Sequence, residues 1–245
     1  MSAKKKFWGR SNVHKICILG NSHVACLKHG WTKIAERYPD FRVSFFAEAG
    51  NEGLGTVYLD GRQLTAKGDY ARNAFAVTHG KDRLDIDDYD VFLIFGARAQ
   101  TFWPTDVFYS AACLDAAFDD LTLGTPAKRV LTCLAEVTDA PIYVGHTPLL
   151  AAREIRDRTV SDAYLAGIEL LNDRYYSKLG AKMLGQPLST IVNGCNTAPE
   201  YSWGVPKLSA VNGVDNARQA ATDNSHMDAA YGALWLEAFF DTLDE

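Results

Sequence analysis

Two stretches near opposite ends of the chain carry residues that together could perform nucleophilic catalysis. Ser22 stands in Gly20-Asn-Ser-His23, directly after an apolar run, and Asp223 and His226 lie three residues apart just before the last helical pattern. A serine hydroxyl becomes a nucleophile when a base takes its proton, and a carboxylate fixes the tautomer of that base and stabilises the imidazolium. The three residues are therefore a candidate set for acyl transfer.

Each of these residues also has a purely structural interpretation. Serine is a preferred helix N-cap, so Ser22 could do no more than begin the helix that follows it. His226 could be a surface histidine, and Asp223 or Asp228 could cap the final helix. The functional hypothesis draws its strength from the pairing of the two stretches, because neither a lone serine nor a lone Asp-x-x-His spacing is specific.

The chain alternates between short apolar runs and amphipathic helical patterns. Runs that are apolar on both faces are typical of parallel strands covered by helices. The predicted strands are Ile16–Leu19, Val43–Ala47, Val91–Phe95 and Ile142–Val144, with Thr190–Val192 as a weaker fifth. This alternation predicts an α/β fold, a three-layer α/β/α sandwich around a parallel sheet of about five strands.

Helices are predicted where apolar residues recur at steps of three and four, and one hairpin is predicted between strands. The helical stripes run from Val24 to Tyr38, from Val107 to Leu121, from Thr125-Pro126 to Val137, from Leu165 to Leu179 and from Met227 to Phe239. The segment from Val57 to Leu64 is typical of a hairpin that turns at Asp60-Gly61.

In open α/β sheets ligands bind at the carboxyl ends of the strands, so Ser22 is expected on the functional edge. The helix start beside it offers backbone N–H groups that can stabilise an oxyanion.

Composition and charge exclude several classes of protein. The 25 Lys and Arg residues against 30 Asp and Glu give a formal charge of −5, which argues against a general nucleic-acid binder.

No apolar run is long enough for the core of a signal peptide or for a membrane span. We expect a flexible basic tail over residues 1–12, a single domain over residues 13–245, no membrane partner and a cytoplasmic location. The five cysteines are expected to be reduced.

No cofactor or metal is predicted. The six histidines show no H-x-x-x-H or H-E-x-x-H spacing that would indicate a metal site. No glycine-rich nucleotide loop opens a helix, since Gly50-Asn-Glu-Gly-Leu-Gly55 lacks the required spacing. The residues that remain for chemistry are those of the two terminal stretches.

On these residues the sequence resembles the SGNH (GDSL-type) hydrolases, which are serine esterases and lipases with a flavodoxin-like α/β/α fold. Gly20-Asn-Ser-His23 stands where that family has its Gly-Asp-Ser-Leu block after the first strand, and Asp223-Asn-Ser-His226 matches its C-terminal Asp-x-x-His block. The resemblance implies Ser22 as the nucleophile, His226 as the general base and acid, and Asp223 as the partner that orients the histidine.

The resemblance also implies two oxyanion donors, a glycine after the second strand and an asparagine after the third. Gly50 stands at the first position, with Gly53 or Gly55 as alternative registers. At the second position the family's Gly-x-Asn pattern is replaced by Gly96-Ala-Arg98. Arg98 could donate to an oxyanion, hold an anionic group of the substrate, or form a structural ion pair.

The leading functional hypothesis is a serine-dependent ester hydrolase that acts through an acyl-enzyme. Its substrate would carry an O-acetyl or other short acyl group on a carbohydrate or another small molecule, because members of the family often act on such esters. An acyltransferase that uses the same residues is one alternative. A non-catalytic protein that binds an anionic ligand through Arg98 is another, and a flavodoxin-like nucleotide or flavin binder is a third.

Overall fold

A computed structural model describes residues 13–48, 54–104, 108–208, 218–220 and 222–244. The basic tail expected over residues 1–12 lies outside the described residues, as does Val107 at the start of the second predicted helix. In chain order the strands are β1 (His14–Gly20), β2 (Phe41–Ala47), β3 (Val57–Asp60), β4 (Gln63–Ala66), β5 (Leu84–Asp85), β6 (Val91–Phe95), β7 (Ile142–Gly145), β8 (Ala181–Leu184), β9 (Ile191–Val192) and β10 (Asn196–Thr197). The helices are α1 (Val24–Ile34), α2 (Asp69–His79), α3 (Ala111–Thr122), α4 (Pro126–Val137), α5 (Asp162–Arg174) and α6 (Ala229–Leu243).

Five strands form a parallel central sheet in the order β2-β1-β6-β7-β8. Every neighbouring pair in this sheet is parallel, and the register places Gly20 of β1 beside Ala47 of β2 and Phe95 of β6. The carboxyl ends of these three strands therefore meet at one edge. The predicted α/β fold with a parallel sheet of about five strands is confirmed.

Alternate residues of each central strand enter two separate hydrophobic cores. Ile16 and Ile18 of β1 pack with residues of α1 and α6, whereas Cys17 and Leu19 pack on the opposite face with residues of α2, α3, α4 and α5. All four side chains are fully buried. Burial of a large aliphatic side chain stabilises the fold by roughly 1.5–3 kcal/mol, so the two covered faces of the sheet supply most of the driving force for the three-layer arrangement.

The fifth strand of the sheet differs from the prediction. Thr190–Val192 was the predicted fifth strand, but Ile191 and Val192 instead form β9, which pairs with β10 in a separate two-stranded antiparallel ribbon. The fifth strand of the parallel sheet is β8, in which Lys182 is exposed between two buried residues. Buried and exposed positions alternate in β8, so this edge strand lacks the continuous apolar run by which the other four strands were predicted.

The predicted hairpin and the predicted cap of α4 are both present, and the hairpin turn is displaced by one residue. Asp60 still belongs to β3 and pairs with Gln63, so the two loop residues are Gly61, with a φ of +62°, and Arg62 instead of Asp60-Gly61. Thr125 caps α4 by accepting a hydrogen bond from the backbone N–H of Lys128 at 3.1 Å, with Pro126 as the first helical residue. None of the helices in the described ranges is both long and apolar enough to cross a bilayer.

Helices α1 and α6 pack against each other through their backbones. A Cβ atom on Gly232 would lie 1.9 Å from the carbonyl oxygen of Cys26, and one on Gly30 would lie 2.4 Å from the backbone nitrogen of Ala233. Only hydrogen fits at either position. Because α1 begins two residues after Ser22 and α6 begins three residues after His226, this contact determines how far apart the two predicted site stretches lie.

Replacing Gly232 by alanine therefore tests the backbone contact. Helix propensity alone would stabilise the alanine variant by about 1 kcal/mol. The clash with Cys26 instead predicts a loss of about 1–3 kcal/mol in the free energy of unfolding, as for other overpacked cores. Urea denaturation of wild type and Gly232→Ala measures the sign, and a more stable variant would contradict the close packing of the helices.

Candidate active site

Ser22 lies on the tight turn between the end of β1 and the start of α1. Its Oγ lies 2.9 Å from Nε2 of His226, across a sequence separation of 204 residues. The N-cap position of α1 belongs to His23, whose side chain makes no capping hydrogen bond. The capping interpretation of Ser22 is thus not the arrangement in the structure, where the serine hydroxyl faces the histidine.

The Asp-x-x-His box forms the other half of the contact. Nδ1 of His226 lies 2.8 Å from Oδ2 of Asp223. A carboxylate accepts hydrogen bonds and cannot donate them, so Nδ1 carries the proton and Nε2 is free to accept from Ser22. Asp228, the alternative cap considered from the sequence, does cap α6 by accepting from the N–H groups of Ala230 and Tyr231 at 2.9 Å each. Asp223 therefore contacts the ring of His226, whereas Asp228 caps α6.

The carboxylate of Asp223 is held in its charged form by the surrounding loop. Its Oδ1 accepts hydrogen bonds from the backbone N–H and the hydroxyl of Ser225, at 2.8 and 2.9 Å, and from the backbone N–H of His226 at 3.1 Å. Burial raises the pKa of Asp223, but these hydrogen bonds and the one from the His226 ring outweigh it and lower the pKa to about 2. Ser225 was not singled out from the sequence, although its place between Asp223 and His226 is the signal that could have identified it.

Two backbone hydrogen bonds anchor this loop to the rest of the fold. The N–H of Ala151 donates to the carbonyl of Asn224 at 2.8 Å, and the N–H of Asp228 donates to the carbonyl of Tyr201 at 2.7 Å. Met227, between the anchors, is buried in the core beside α1 and α6. The loop is thus fixed at both ends of the Asp223–His226 pair.

His23 makes a contact with His226 that its position in the sequence did not reveal. The two imidazole rings stack with their centroids 4.7 Å apart and an interplanar angle of 24°. Nδ1 of His23 is buried without a hydrogen-bond partner among the described residues. Burial, assisted by the nearby charge of His226, lowers the pKa of His23 to about 3, so the ring is neutral at physiological pH. Gly96 leaves the space that His23 occupies, because a Cβ there would lie 3.2 Å from that of His23.

The turn after β6 has an unusual backbone and carries Arg98. Gly96, Ala97 and Arg98 have φ values of +68°, +47° and +60°, and the N–H of Ala99 donates to the carbonyl of Gly96 at 2.8 Å. Non-glycine residues in left-handed conformations are strained and cluster at functional sites. Arg98 is exposed, and no ion pair involves it in the part of the chain that the structure describes. The structural ion pair considered for Arg98 is therefore not formed with any described residue.

Gly50, the predicted first oxyanion donor, lies outside the described residues, as does the alternative Gly53. Both belong to the segment between Glu48 and Leu54. The ends of this segment are joined, because the N–H of Leu54 donates to Oε2 of the buried Glu48 at 2.9 Å. Glu48 itself follows β2, and its N–H donates to the carbonyl of Gly20 at 3.1 Å. Glu48, the last described residue before Gly50, therefore lies beside the Ser22 turn.

His146, at the carboxyl end of β7, belongs to a buried polar network. Its Nδ1 donates to the carbonyl of Thr147 at 2.6 Å, and its Nε2 accepts from the hydroxyl of Tyr164 at 2.8 Å. That hydroxyl accepts from the backbone N–H of Gln186 at 2.6 Å. Burial lowers the pKa of His146 to about 4. Both ring nitrogens are satisfied, so this histidine has a structural role.

No candidate metal cluster surrounds Ser22 within the described ranges. No group of three or more His, Cys, Asp or Glu side chains there could hold a metal ion. An apolar cavity of about 470 Å³ lies between α5, the end of β8 and α6, and Ser22, Asp223 and His226 are not among the residues that line it. Two of its polar lining residues, Tyr164 and Gln186, are engaged in the network just described. The cavity is therefore separate from the contact between Ser22 and His226.

Comparison with known proteins adds no assignment. No protein-family model matches the chain, and no curated protein matches it closely enough to count as a relative. What can be said about function rests on the contacts among Ser22, His226 and Asp223.

The neutral histidines predict how stability depends on pH. In the unfolded chain a histidine has a pKa near 6.5, whereas the folded values of His23 and His146 are about 3 and about 4. The unfolded state therefore binds more protons below pH 6.5, and stability falls as the pH decreases from 6.5 towards 4. His23→Phe keeps a ring against His226 and removes one titrating group. We expect a smaller loss of unfolding free energy between pH 7 and pH 4.5 in this variant, measured by urea denaturation, and an unchanged loss would contradict the buried neutral state of His23.

Proposed function

We propose that the protein is a serine-dependent ester hydrolase of the SGNH type. The observation that supports this function best is the 2.9 Å contact between Ser22 Oγ and His226 Nε2, with Asp223 at 2.8 Å behind the imidazole. The order of these groups along the chain and their place at the carboxyl edge of a parallel sheet agree with the resemblance found in the sequence. The side chains of His226 and Asp223 are 19% and 18% exposed, so the site is shielded but open to a substrate.

The geometry suits a two-step mechanism. As the Ser22 oxygen attacks the ester carbonyl, His226 Nε2 takes the hydroxyl proton and then gives it to the departing alcohol. Asp223 remains ionised, because its pKa is about 2, and it stabilises the imidazolium that forms. Water then attacks the acyl carbonyl while His226 takes a proton from it, the ester bond to Ser22 Oγ breaks, and His226 returns the proton to that oxygen. The triad requires no cofactor for either step.

The tetrahedral intermediate needs donors for its oxyanion. We propose the backbone N–H of Ser22, at the start of α1, where the helix dipole favours negative charge, and Gly50 as the second donor. Arg98 occupies the position of the family's asparagine donor, but its exposed side chain and left-handed backbone favour a role in substrate selection. An acyl group on a carbohydrate is the proposed substrate, and an acceptor hydroxyl in place of water would make the same site an acyltransferase.

Ser22→Ala and His226→Ala test the proposal directly. Each variant is expected to lower kcat/KM for p-nitrophenyl acetate by roughly 10³-fold or more, as in dissected serine triads. Asp223→Asn should also lower it, because the histidine loses the partner that fixes its tautomer. A fluorophosphonate probe should label wild type stoichiometrically, label Ser22→Ala not at all, and label Ser177→Ala, an exposed serine after α5, as it labels wild type. Wild-type turnover in all three triad variants would eliminate the hydrolase, and an unlabelled wild type would favour a non-catalytic binding protein.

Arg98→Asn separates the possible roles of the arginine. Asparagine tolerates the left-handed conformation better than arginine does, and its amide restores the family's donor. We therefore expect turnover of p-nitrophenyl acetate to be retained or raised, whereas loss of a working oxyanion donor typically costs ~10²–10³-fold in kcat. Arg98→Ala is the control that removes the side chain without adding an amide. A fall of a hundredfold or more in both variants would make the arginine part of the oxyanion hole.

A further inference from the structure

A polar groove borders the loop that carries Asp223 and His226. It has a volume of about 270 Å³ and is formed by the segment after β7, the β9–β10 turn and Asn224. Asn224 stands between Asp223 and His226, and its carbonyl accepts the hydrogen bond from Ala151 that anchors the catalytic loop. The polar residues that line the groove are Arg153, Glu154, Arg156, Asn193, Asn196 and Asn224. A ligand in this groove would contact the loop that carries Asp223 and His226 at Asn224.

Hydrogen bonds made by two asparagine side chains fix the backbone that forms the wall of the groove. Asn193, with a φ of +53°, accepts hydrogen bonds through Oδ1 from the N–H groups of Arg156 and Asp157, at 2.8 and 3.2 Å, and donates through Nδ2 to the carbonyl of Glu154 at 2.8 Å. Nδ2 of Asn196 donates to the carbonyl of Leu150 at 3.1 Å. The two asparagines tie the segment after β7 to the β9–β10 turn, so the arginines are carried on a fixed backbone.

The charged residues of the groove leave an excess of positive charge. Arg153 and Arg156 are exposed, and neither forms an ion pair with another described residue, whereas the neighbouring Arg158 is paired with Glu200 at 3.3 Å. Glu154 is the single carboxylate among the lining residues. Two guanidinium groups against one carboxylate give the lining of the groove a positive charge on a chain whose net charge is −5, and Asp157, which interacts with Arg156, does not line the groove. A planar guanidinium matches the geometry of a carboxylate or phosphate through paired N–H donors.

We propose that this groove binds an anionic group, a carboxylate or a phosphate, on the alcohol portion of the ester. The inference rests on the proposed hydrolase and names its substrate class, an acylated acidic sugar. Arg153 and Arg156 would contact the anion. The exposed side chain of Asn224 supplies an amide for a sugar hydroxyl, next to the histidine that protonates the departing alcohol.

The test compares anionic and neutral esters of matched structure. The substrates are the O-acetyl esters of methyl glucuronoside, glucose 6-phosphate and methyl glucoside, each assayed with wild type and with the double variant Arg153→Gln/Arg156→Gln. We expect wild type to have a higher kcat/KM for at least one anionic ester than for the neutral ester. In the double variant, the ratio of kcat/KM for that anionic ester to kcat/KM for the neutral ester should fall about tenfold or more. A tenfold fall corresponds to the loss of one charge-assisted hydrogen bond. The two anionic esters distinguish a carboxylate site from a phosphate site.

Arg158→Gln is the matched control, because it removes the same charge from the same segment but from a residue that is already paired with Glu200. The ratio should stay at the wild-type value in this control. An equal ratio in wild type and the double variant, or an equal fall in the control, would overturn the groove assignment.

Isothermal titration with glucuronate and with glucose 6-phosphate keeps this inference separate from the proposed function. A chain that hydrolyses no ester but binds either anion through Arg153 and Arg156 would overturn the hydrolase and support the groove. Turnover of p-nitrophenyl acetate that depends on Ser22, without any anion preference or anion binding, would support the hydrolase and overturn the groove. Neither anion needs to react in this measurement, so the two results are independent.

Discussion

The contact between the backbones of α1 and α6 is the constraint on which the candidate site depends. Gly30 and Gly232 allow the helices to approach without any intervening side chain, and each helix begins within three residues of a site residue. Helices are rigid over this distance, so a change in their separation is transmitted almost directly to the Ser22–His226 hydrogen bond. A displacement of 1 Å would take that bond from 2.9 Å to beyond the range in which a proton is shared.

The loop that carries Asp223 and His226 is tied to the sheet by polar contacts as well as by α6. Gln186, which is 1% exposed, accepts hydrogen bonds through Oε1 from the N–H of Leu149 at 3.1 Å and from the hydroxyl of Tyr231 at 3.0 Å. Leu149 lies two residues before Ala151, the residue that anchors Asn224. A single buried side chain thus links α6 to the segment that supports Asp223. Each group in this network has a partner, and such networks favour one arrangement of the core over others.

The sequence predicted the parts of the fold that depend on local pattern. The four strands that are apolar on both faces are identified by that pattern, and the Thr125-Pro126 cap by its residue types. It did not predict β8, because an edge strand with Lys182 on its open side has no continuous apolar run. It also missed α2, whose buried face consists of Ala71, Ala74, Phe75 and Thr78, since small residues give a weak apolar stripe.

The candidate site likewise contains residues that the sequence predicts and residues that it does not. Ser22, Asp223 and His226 were predicted because each lies in a short, recognisable spacing next to a strand or helix end. The His23–His226 stack and the Gly30–Gly232 contact require the three-dimensional arrangement of α1 against α6, and no spacing along the chain encodes it. The same holds for the groove arginines, whose position depends on how Asn193 folds the segment after β7.

The stacked histidine illustrates why a costly arrangement can persist at such a site. Nδ1 of His23 has no hydrogen-bond partner among the residues that the structure describes, and such a buried nitrogen destabilises the fold by about 1–3 kcal/mol. The neutrality of His23 is what the proposed chemistry requires. Were His23 charged, with its ring 4.7 Å from that of His226, the repulsion would oppose the imidazolium by about 3–4 kcal/mol at an effective dielectric constant of about 20. That energy corresponds to a rate factor of a few hundred. Because burial keeps the pKa of His23 near 3, the neighbouring ring holds His226 in place without resisting its protonation.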